Sequence, residues 1–356
     1  MSFSRSIFLT GFPGFIAAKL VERLARTDTQ FFLLVQTQFV EKATAELGYI
    51  ASRTGTPIEN FALVEGDITL KNLGIGDEDL ATLRSETTDI FHLAAVYDLA
   101  VEKTLAHRVN FEGTRNVNEF ARSVENLRRY NYVSTCYVAG KRKGRVLETD
   151  LSDEAGFRNF YEETKYLAER AVEDLKEELP VTIFRPSVVV GDSRTGETAK
   201  YDGIYSLIQY LRKAPGLLRF VSVGNTKVRL NLVPVDFVVE GIAALAEDER
   251  AVGKTIALAD PGPLTTAALF DAIAEKMTGK RSALTPPSKL VEWSLNLRLS
   301  PPLTGLPHAA VPYFFIEQLY DTSIADELLA TYRLKCPNFK DYVENLLAFV
   351  KKHPQL

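Results

Sequence analysis

The chain has 356 residues, 46% hydrophobic and 25% charged, with a formal net charge of −4. These are ordinary globular proportions, which exclude a disordered or fibrous chain, and the slight acidity gives no electrostatic case for nucleic acid as a partner. The two cysteines, Cys136 and Cys336, and four histidines match no metal spacing or disulfide framework. No apolar run approaches the roughly 20 residues needed to cross a bilayer, and no signal peptide is evident, so a reduced, cytoplasmic setting is the expectation.

In chain order, residues 6–10 read as a strand and 14–26 as a helix, with Phe15, Ala18, Leu20, Val21 and Leu24 as its apolar positions. Residues 31–35 form an apolar run typical of a strand buried on both faces. The strand signal recurs at 61–65, 89–93, 130–134 and 181–185, with helical patterns at 40–53, 77–84, 100–125 and 157–179. Such sustained alternation means βαβ units with right-handed crossovers, hence an α/β fold built on a Rossmann-type doubly wound parallel sheet. After Pro186 the texture changes. Residues 191–203 read as a loop, 205–213 as a helix, 229–233 as a strand, and 236–246 as a helix returning to the first domain. A strand at 255–259 and a helix at 265–276 follow, then a Pro- and Leu-rich stretch at 286–312 that is expected to cover a pocket. The expected division is a nucleotide-binding domain of 1–190 with 229–260, and a smaller C-terminal substrate lobe of 191–228 and 261–356.

The first strand runs into Thr10-Gly11-Phe12-Pro13-Gly14-Phe15-Ile16-Ala17. Gly11 serves the tight turn, and Gly14 lets backbone N–H groups approach a pyrophosphate that the next helix faces with its positive end. Ala17 replaces the usual third glycine and is still small enough for helix–strand packing. Where an acid would hold the ribose 2′-hydroxyl of NAD, after the second strand, stands Gln36-Thr37-Gln38. The missing acid tilts the reading toward NADP(H) over NAD(H), with Lys42 or Arg53 as sources of positive charge.

Tyr161 and Lys165 stand four residues apart on a predicted helix, hence on one face. A free phenol titrates near ~10, and lowering it by about three units takes roughly 4 kcal/mol. One ammonium ~4 Å away supplies a similar amount at an effective dielectric near 20. Lys165 is thus expected to tune Tyr161, which passes its proton to a carbonyl oxygen as hydride reaches the carbon. The preceding strand ends in Tyr132-Val133-Ser134-Thr135-Cys136-Tyr137-Val138, at the edge where open sheets bind ligands. Thr135 is assigned as the hydroxyl that steadies the substrate oxygen, with Ser134 as the alternative, directed to the opposite face.

Together these residues resemble the extended short-chain dehydrogenase/reductase family, which is NAD-dependent epimerase/dehydratase-like. The resemblance implies that Asp67 and Ile68 contact the adenine and that Leu93, Ala94 and Ala95 line the cofactor cleft. It also implies that Asn110 sits near the cofactor and that Phe184, Pro186 and Val188 pass the nicotinamide. Phe15, Ile16 and Gln36 join the glycines in the cofactor set. Three segments are most similar to the thioester-reductase and fatty-acyl-reductase (male-sterility) branch: Ser134-Thr135-Cys136-Tyr137-Val138, Arg185-Pro186-Ser187 leading to Gly191-Asp192-Ser193-Arg194-Thr195-Gly196-Glu197, and Asn231-Leu232-Val233-Pro234-Val235-Asp236. That branch implies NADPH-dependent reduction of an acyl thioester or fatty aldehyde. The chain departs from it in having no attached adenylation or carrier domain and no basic residue directly after the second strand.

The resulting expectation is an NADP(H)-dependent reductase of a small-molecule carbonyl substrate, with Tyr161 as acid, Lys165 as its electrostatic partner and ribose anchor, and Thr135 as carbonyl donor. An NAD-dependent nucleotide-sugar epimerase or dehydratase and a non-catalytic dinucleotide-sensing protein are the rival readings. The chain is expected to be a monomer or homodimer. The helix at 157–179 sets an apolar stripe of Phe157, Phe160, Leu167, Ala171, Val172 and Leu175 against Glu162, Glu169, Glu173 and Asp174, and that charged side argues for a monomer. Cys136 reads as a small buried side chain and His92 as a structural histidine. The basic loop Lys141-Arg142-Lys143-Gly144-Arg145 is a candidate contact for coenzyme A phosphates, and Arg194 either pins a substrate anion or anchors its own loop.

Overall fold

The computed structural model describes residues 3–213, 224–281, 286, 288–297 and 308–354. The strands are β1 (Arg5–Thr10), β2 (Thr29–Val35), β3 (Phe61–Glu65), β4 (Asp89–His92), β5 (Arg129–Val133), β6 (Gly144–Val146), β7 (Val181–Pro186), β8 (Val188–Val190), β9 (Leu232–Pro234), β10 (Thr255–Leu258) and β11 (Gln318–Tyr320). The helices are α1 (Phe15–Leu24), α2 (Val40–Thr54), α3 (Asp77–Glu86), α4 (Lys103–Ala106), α5 (Gly113–Ser123), α6 (Phe160–Glu173), α7 (Ile204–Lys213), α8 (Val235–Leu245), α9 (Thr266–Thr278), α10 (Ser288–Leu295), α11 (Ser323–Ala330) and α12 (Phe339–Lys352).

Seven strands form one parallel sheet in the order β10-β7-β5-β4-β1-β2-β3. Alternate residues divide its two faces. Ile7, Leu9, Phe31 and Leu33 pack with α1, α2 and α8, whereas Phe8, Phe32, Leu34 and Ile90 pack with α3, α5 and α6. Burial on both sides is why these strands read as continuous apolar runs. A separate core joins α7, α9 and α12 with Leu295, Val311 and Phe314. Helix α11, expected in the substrate lobe, instead puts Ala325, Leu328 and Leu329 into the core that α8 shares with the sheet. Among the described residues no helix is long and apolar enough to cross a membrane.

Several boundaries differ from expectation for local reasons. The helix expected at 100–125 starts at Lys103 and carries a π-turn, His107–Glu112, ahead of α5. Helix α6 starts at Phe160, because Asn159 accepts the Glu162 N–H at 3.0 Å and caps it. Its buried face is Tyr161, Lys165, Ala168 and Val172, while Phe160, Leu167 and Ala171 are partly or largely exposed. Of the expected apolar stripe, Val172 and Leu175 are buried, and the rest of the inward face is rotated toward Tyr161 and Lys165. Glu162 and Glu169 are fully buried, so the charged side that argued for a monomer is not a solvated one. The strand expected at 229–233 is the shorter β9, with Arg229 bridging Thr265 outside it. Of the Pro- and Leu-rich stretch, 298–307 lies outside the described residues, and none of its described residues lines the main cleft.

Candidate active site

A cleft of about 870 Å³ opens at the carboxyl edge of the sheet. It spans the point where strand order reverses between β1 and β4, which is where open α/β sheets bind ligands. The ends of β1, β4, β5 and β7 all reach it. On the β1 side, the Gly14 N–H donates to the Gly11 carbonyl at 2.8 Å, and Gly11 has φ +96°. A Cβ on Gly11 would lie 2.8 Å from the Ala94 nitrogen, and one on Gly14 would lie 2.7 Å from the Gly11 carbonyl oxygen. Only glycine fits either place. Gly14 caps α1, whose first turn holds no acidic residue, so the helix dipole and free N–H groups suit an anion. This cradle fits the pyrophosphate of a dinucleotide.

At the β2 end of the cleft, Gln36 donates to Asp67 Oδ2 at 2.8 Å, and the other Asp67 oxygen accepts the Thr69 N–H at 2.8 Å. Gln38 donates to Gln36 at 3.0 Å. The carboxylate missing from β2 is thus replaced by one from the β3 side, already held by two donors. Lys42 and Arg108 line the cleft and make no ion pair among the described residues. Arg53, the other cation considered, is bound to Glu22 and Tyr49 on the helix surface, away from the cleft.

At the opposite end Tyr161 and Lys165, 6% and 3% exposed, share the inner face of α6. Thr135 accepts the Tyr137 N–H at 3.2 Å, and it lines the cleft beside Tyr161, where its side chain acts to lower the phenol. Ser134 points the other way, as expected from strand alternation, and donates to Glu169. Glu169 in turn receives Arg185 Nε at 2.8 Å, and Arg185 Nη1 donates to the Glu148 carbonyl at 3.0 Å. This buried ion pair, with its Ser134 contact, ties α6 to β5 and β7 one turn beyond Lys165.

The electrostatics differ from the expected pairing. Lys165 Nζ donates to the Tyr132 hydroxyl at 2.8 Å and to the Val133 carbonyl at 3.0 Å. Burial pushes this ammonium down to about 7, against an upward pull from Glu169. Burial, then Tyr97, holds the Tyr161 phenol well above its ordinary value, and the opposing influence is Thr135 rather than Lys165. Tyr161 is therefore firmly protonated, the form a proton donor needs. The Tyr97 ring meets it edge-on, with centroids 5.2 Å apart.

The cleft collects Gly11, Gly14, Phe15, Ile16, Gln36, Asp67, Ile68, Leu93, Ala94, Ala95, Thr135, Tyr161, Lys165, Pro186 and Val188. It does not collect Asn110 or Phe184. Asn110 instead accepts the Val96 N–H at 2.8 Å and donates to Thr164 at 3.2 Å, bracing the cleft wall against α6 from behind. Phe184 is wholly inside the core; it shares a strand face with Pro186, but only Pro186, at the carboxyl end of β7, reaches the cleft. Sequence reasoning missed Arg108, Leu105 and the 198–202 segment, which also line the cleft. For Arg108 the signal was the π-turn, which no periodicity shows. The basic loop does not reach the cleft: Arg142 is held by Ala139 and Asp150, and Arg145 by Asp321. Arg194 pairs with Asp192 at 3.5 Å within its own loop. Cys136 is buried, donates to the Arg185 carbonyl and has its thiol pushed up by burial, so it is no nucleophile.

The profile of the male sterility protein family matches residues 9–242, more than half of the chain. The chain belongs to that family. Its nucleotide-binding fold is accordingly of the extended short-chain dehydrogenase/reductase type, in the branch with the fatty acyl-CoA reductases. It is 27% identical over 281 residues to "Fatty acyl-CoA reductase wat" of Drosophila melanogaster, covering 68% of this chain and 54% of that protein. The chain thus spans about half the length of the curated relatives it matches first. Among solved structures, it resembles the terminal R domain from the myxalamid PKS-NRPS biosynthetic pathway, with a TM-score of 0.84 and 23% identity, covering 100% of this chain and 92% of that one. A UDP-glucuronic acid 4-epimerase from Bacillus cereus is more distant, with a TM-score of 0.67 and 20% identity, covering 98% of this chain and 97% of that one. These two structural likenesses concern the fold.

Proposed function

We propose that this protein is an NADP(H)-dependent reductase of acyl thioesters or of the aldehydes derived from them. The observation that carries the reading is that Tyr161, Thr135 and buried Lys165 come together at the far end of a cleft that begins in a glycine cradle. NADPH, when bound, supplies the hydride. The chain's own residues do the rest. Tyr161, kept protonated by burial, delivers its proton to the carbonyl oxygen. Thr135 gives that oxygen a second hydroxyl contact and favours the charge that develops on it. Lys165 has a third N–H for the ribose, and its charge favours the phenolate left after proton transfer. Lys42 and Arg108, which make no ion pair among the described residues, support the phosphorylated cofactor over NAD(H). The acyl substrate class is supported by the relatives' names and by the mostly apolar lining of the cleft.

The test is NADPH oxidation at 340 nm against a panel of aldehydes and acyl thioesters. Tyr161→Phe is expected to lose about 10²- to 10⁴-fold in turnover while binding NADPH normally. Near-wild-type turnover in that variant would refute the assignment. Lys42→Glu should weaken NADPH more than NADH in a fluorescence titration; equal loss for both would remove the NADP preference. Cofactor that cannot be stripped from the purified protein would favour the epimerase reading. Tight NADPH binding without oxidation by any carbonyl would favour the sensor.

A further inference from the structure

Lys165 is an ammonium in a nearly dry place. An ammonium has three N–H donors and no freedom to leave them unpaired at low cost. Two are taken by β5, through the Tyr132 hydroxyl at 2.8 Å and the Val133 carbonyl at 3.0 Å. A backbone carbonyl at a strand end comes with the fold, but the phenol does not. Tyr132 is a residue the proposed reaction does not otherwise use, and it is 1% exposed.

Tyr132 sits against a buried polar network. Its ring centroid lies 5.5 Å from that of His92, and the Thr114 side chain acts to lower its phenol against burial. Thr114 donates its proton to the Asn110 carbonyl at 2.6 Å, so its oxygen is left to accept. That oxygen lies 3.0 Å from His92 Nε2, and His92 Nδ1 lies 2.7 Å from the Thr10 hydroxyl. Thr10 accepts the Ala94 N–H at 3.2 Å. One assignment satisfies these groups: Thr10 donates to Nδ1 and neutral His92 donates from Nε2 to Thr114. His92 is kept neutral by burial and by the Lys165 charge, down to about 3, so the tautomer does not switch at working pH. The chain of contacts runs from the residue before the Gly11 turn to Thr114, and Tyr132, packed against it, accepts from the ammonium.

We propose that Tyr132 is the positioning residue of Lys165: its phenol oxygen, with the ring packed against the Thr10–His92–Thr114 chain, holds the ammonium at the cleft floor with one N–H turned to the ligand. The inference rests on Lys165 acting as proposed above. The titratable groups around Lys165 are Glu169 and Tyr161 on its own helix, Tyr132 on β5, His92 on β4 and, through Glu169, Arg185 on β7. Removing the phenol oxygen deprives the charged form of an acceptor and leaves the other groups in place. Because burial already brings Lys165 to about 7, that loss falls in a measurable range.

The experiment compares Tyr132→Phe, which keeps the ring, with Lys165→Met and wild type. NADPH affinity is read by nicotinamide fluorescence from pH 6 to 9, and turnover over the same range where a carbonyl substrate is available. Tyr132→Phe is expected to lose about tenfold in kcat, and its alkaline limb, in both binding and turnover, should move to lower pH by about one unit. A merely structural role for the ring would leave both limbs in place. Thr114→Val breaks the chain one step further away and is expected to move the limb in the same direction by less. If Lys165→Met is impaired while Tyr132→Phe and Thr114→Val match wild type in affinity and in both limbs, the inference is overturned. If Lys165→Met itself matches wild type, the role of Lys165 fails first, and this inference falls with it. Binding needs no substrate, so an unreactive panel does not mask the result. If Tyr132→Phe fails to fold, Thr114→Val alone decides.

Discussion

The buried ion pair under the active site gives the sharpest stability prediction. Arg185 and Glu169 are 4% and 0% exposed in their side chains. Glu169→Gln keeps the shape and removes the charge. The guanidinium is then left in the core with the Glu148 carbonyl as its remaining strong acceptor. Breaking a buried pair from one side costs roughly 3–5 kcal/mol, because the other charge stays behind without compensation. The Ser134 hydroxyl also exchanges a charged acceptor for a neutral one, worth about 1 kcal/mol. Against a typical total of about 5–15 kcal/mol, this is a large fraction. Urea unfolding followed by far-UV circular dichroism should show a lower midpoint with an unchanged slope. Glu169→Met with Arg185→Met removes both charges at similar volume and should recover most of the loss. A single-variant cost below about 1 kcal/mol, or a double variant as unstable as the sum of its parts, would refute the claim that the pair is electrostatically closed.

Three further outcomes follow from the same geometry. Gly11→Ala should abolish detectable NADPH binding by fluorescence titration, since its Cβ would press on the Ala94 backbone nitrogen at 2.8 Å and its φ of +96° is unsuited to a side chain; retained affinity would show that the loop does not carry the phosphates. His92 sits near 3 when folded against 6.5 unfolded, so the unfolded chain binds the extra proton between those values. Its contribution to stability is full above about 6.5 and falls as pH drops toward 3. His92→Gln should therefore flatten the acid side of a Tm-against-pH curve, and a parallel curve would count against it. Cys136 should resist iodoacetamide at pH 8 in the native protein, and Cys136→Ala should keep turnover within about twofold, because the thiol is buried and pushed up.

The sheet was legible because its inner strands are buried on both faces, so their apolar runs stand out without any partner being known. The glycine cradle and the Tyr161–Lys165 spacing were legible for a similar reason: both are local, set within one turn or one helix. Where the reading failed, the cause was a contact between distant residues. Asn110 looked like a cofactor ligand by resemblance, yet its amide is used up on Val96 and Thr164. Phe184 and Pro186 lie two apart on one strand, yet only the second reaches the rim. The π-turn at His107–Glu112, which brings Arg108 to the cleft, leaves no trace in a 3.6-residue pattern.

Helix α6 shows the same limit most plainly, and it concerns the site itself. Its sequence offers Phe157, Phe160, Leu167, Ala171, Val172 and Leu175 for burial and four acidic residues for solvent. The folded chain buries Val172 and Leu175 but also turns Tyr161, Glu162, Lys165 and Glu169 inward. Each buried charge has a partner that periodicity cannot show. Arg158 and Tyr313 take Glu162, Arg185 takes Glu169, and β5 takes Lys165. A helix whose polar face turns inward violates the simplest amphipathic pattern, and sites of chemistry are where such violations are expected. The inward face is polar because it carries the Tyr161 phenol and the Lys165 ammonium, and the neighbouring carboxylates each have a buried partner there. Exposure of Glu162 and Glu169 in the folded protein, read by a change in their carboxyl environment on adding a shift reagent, would contradict this account of why the helix faces as it does.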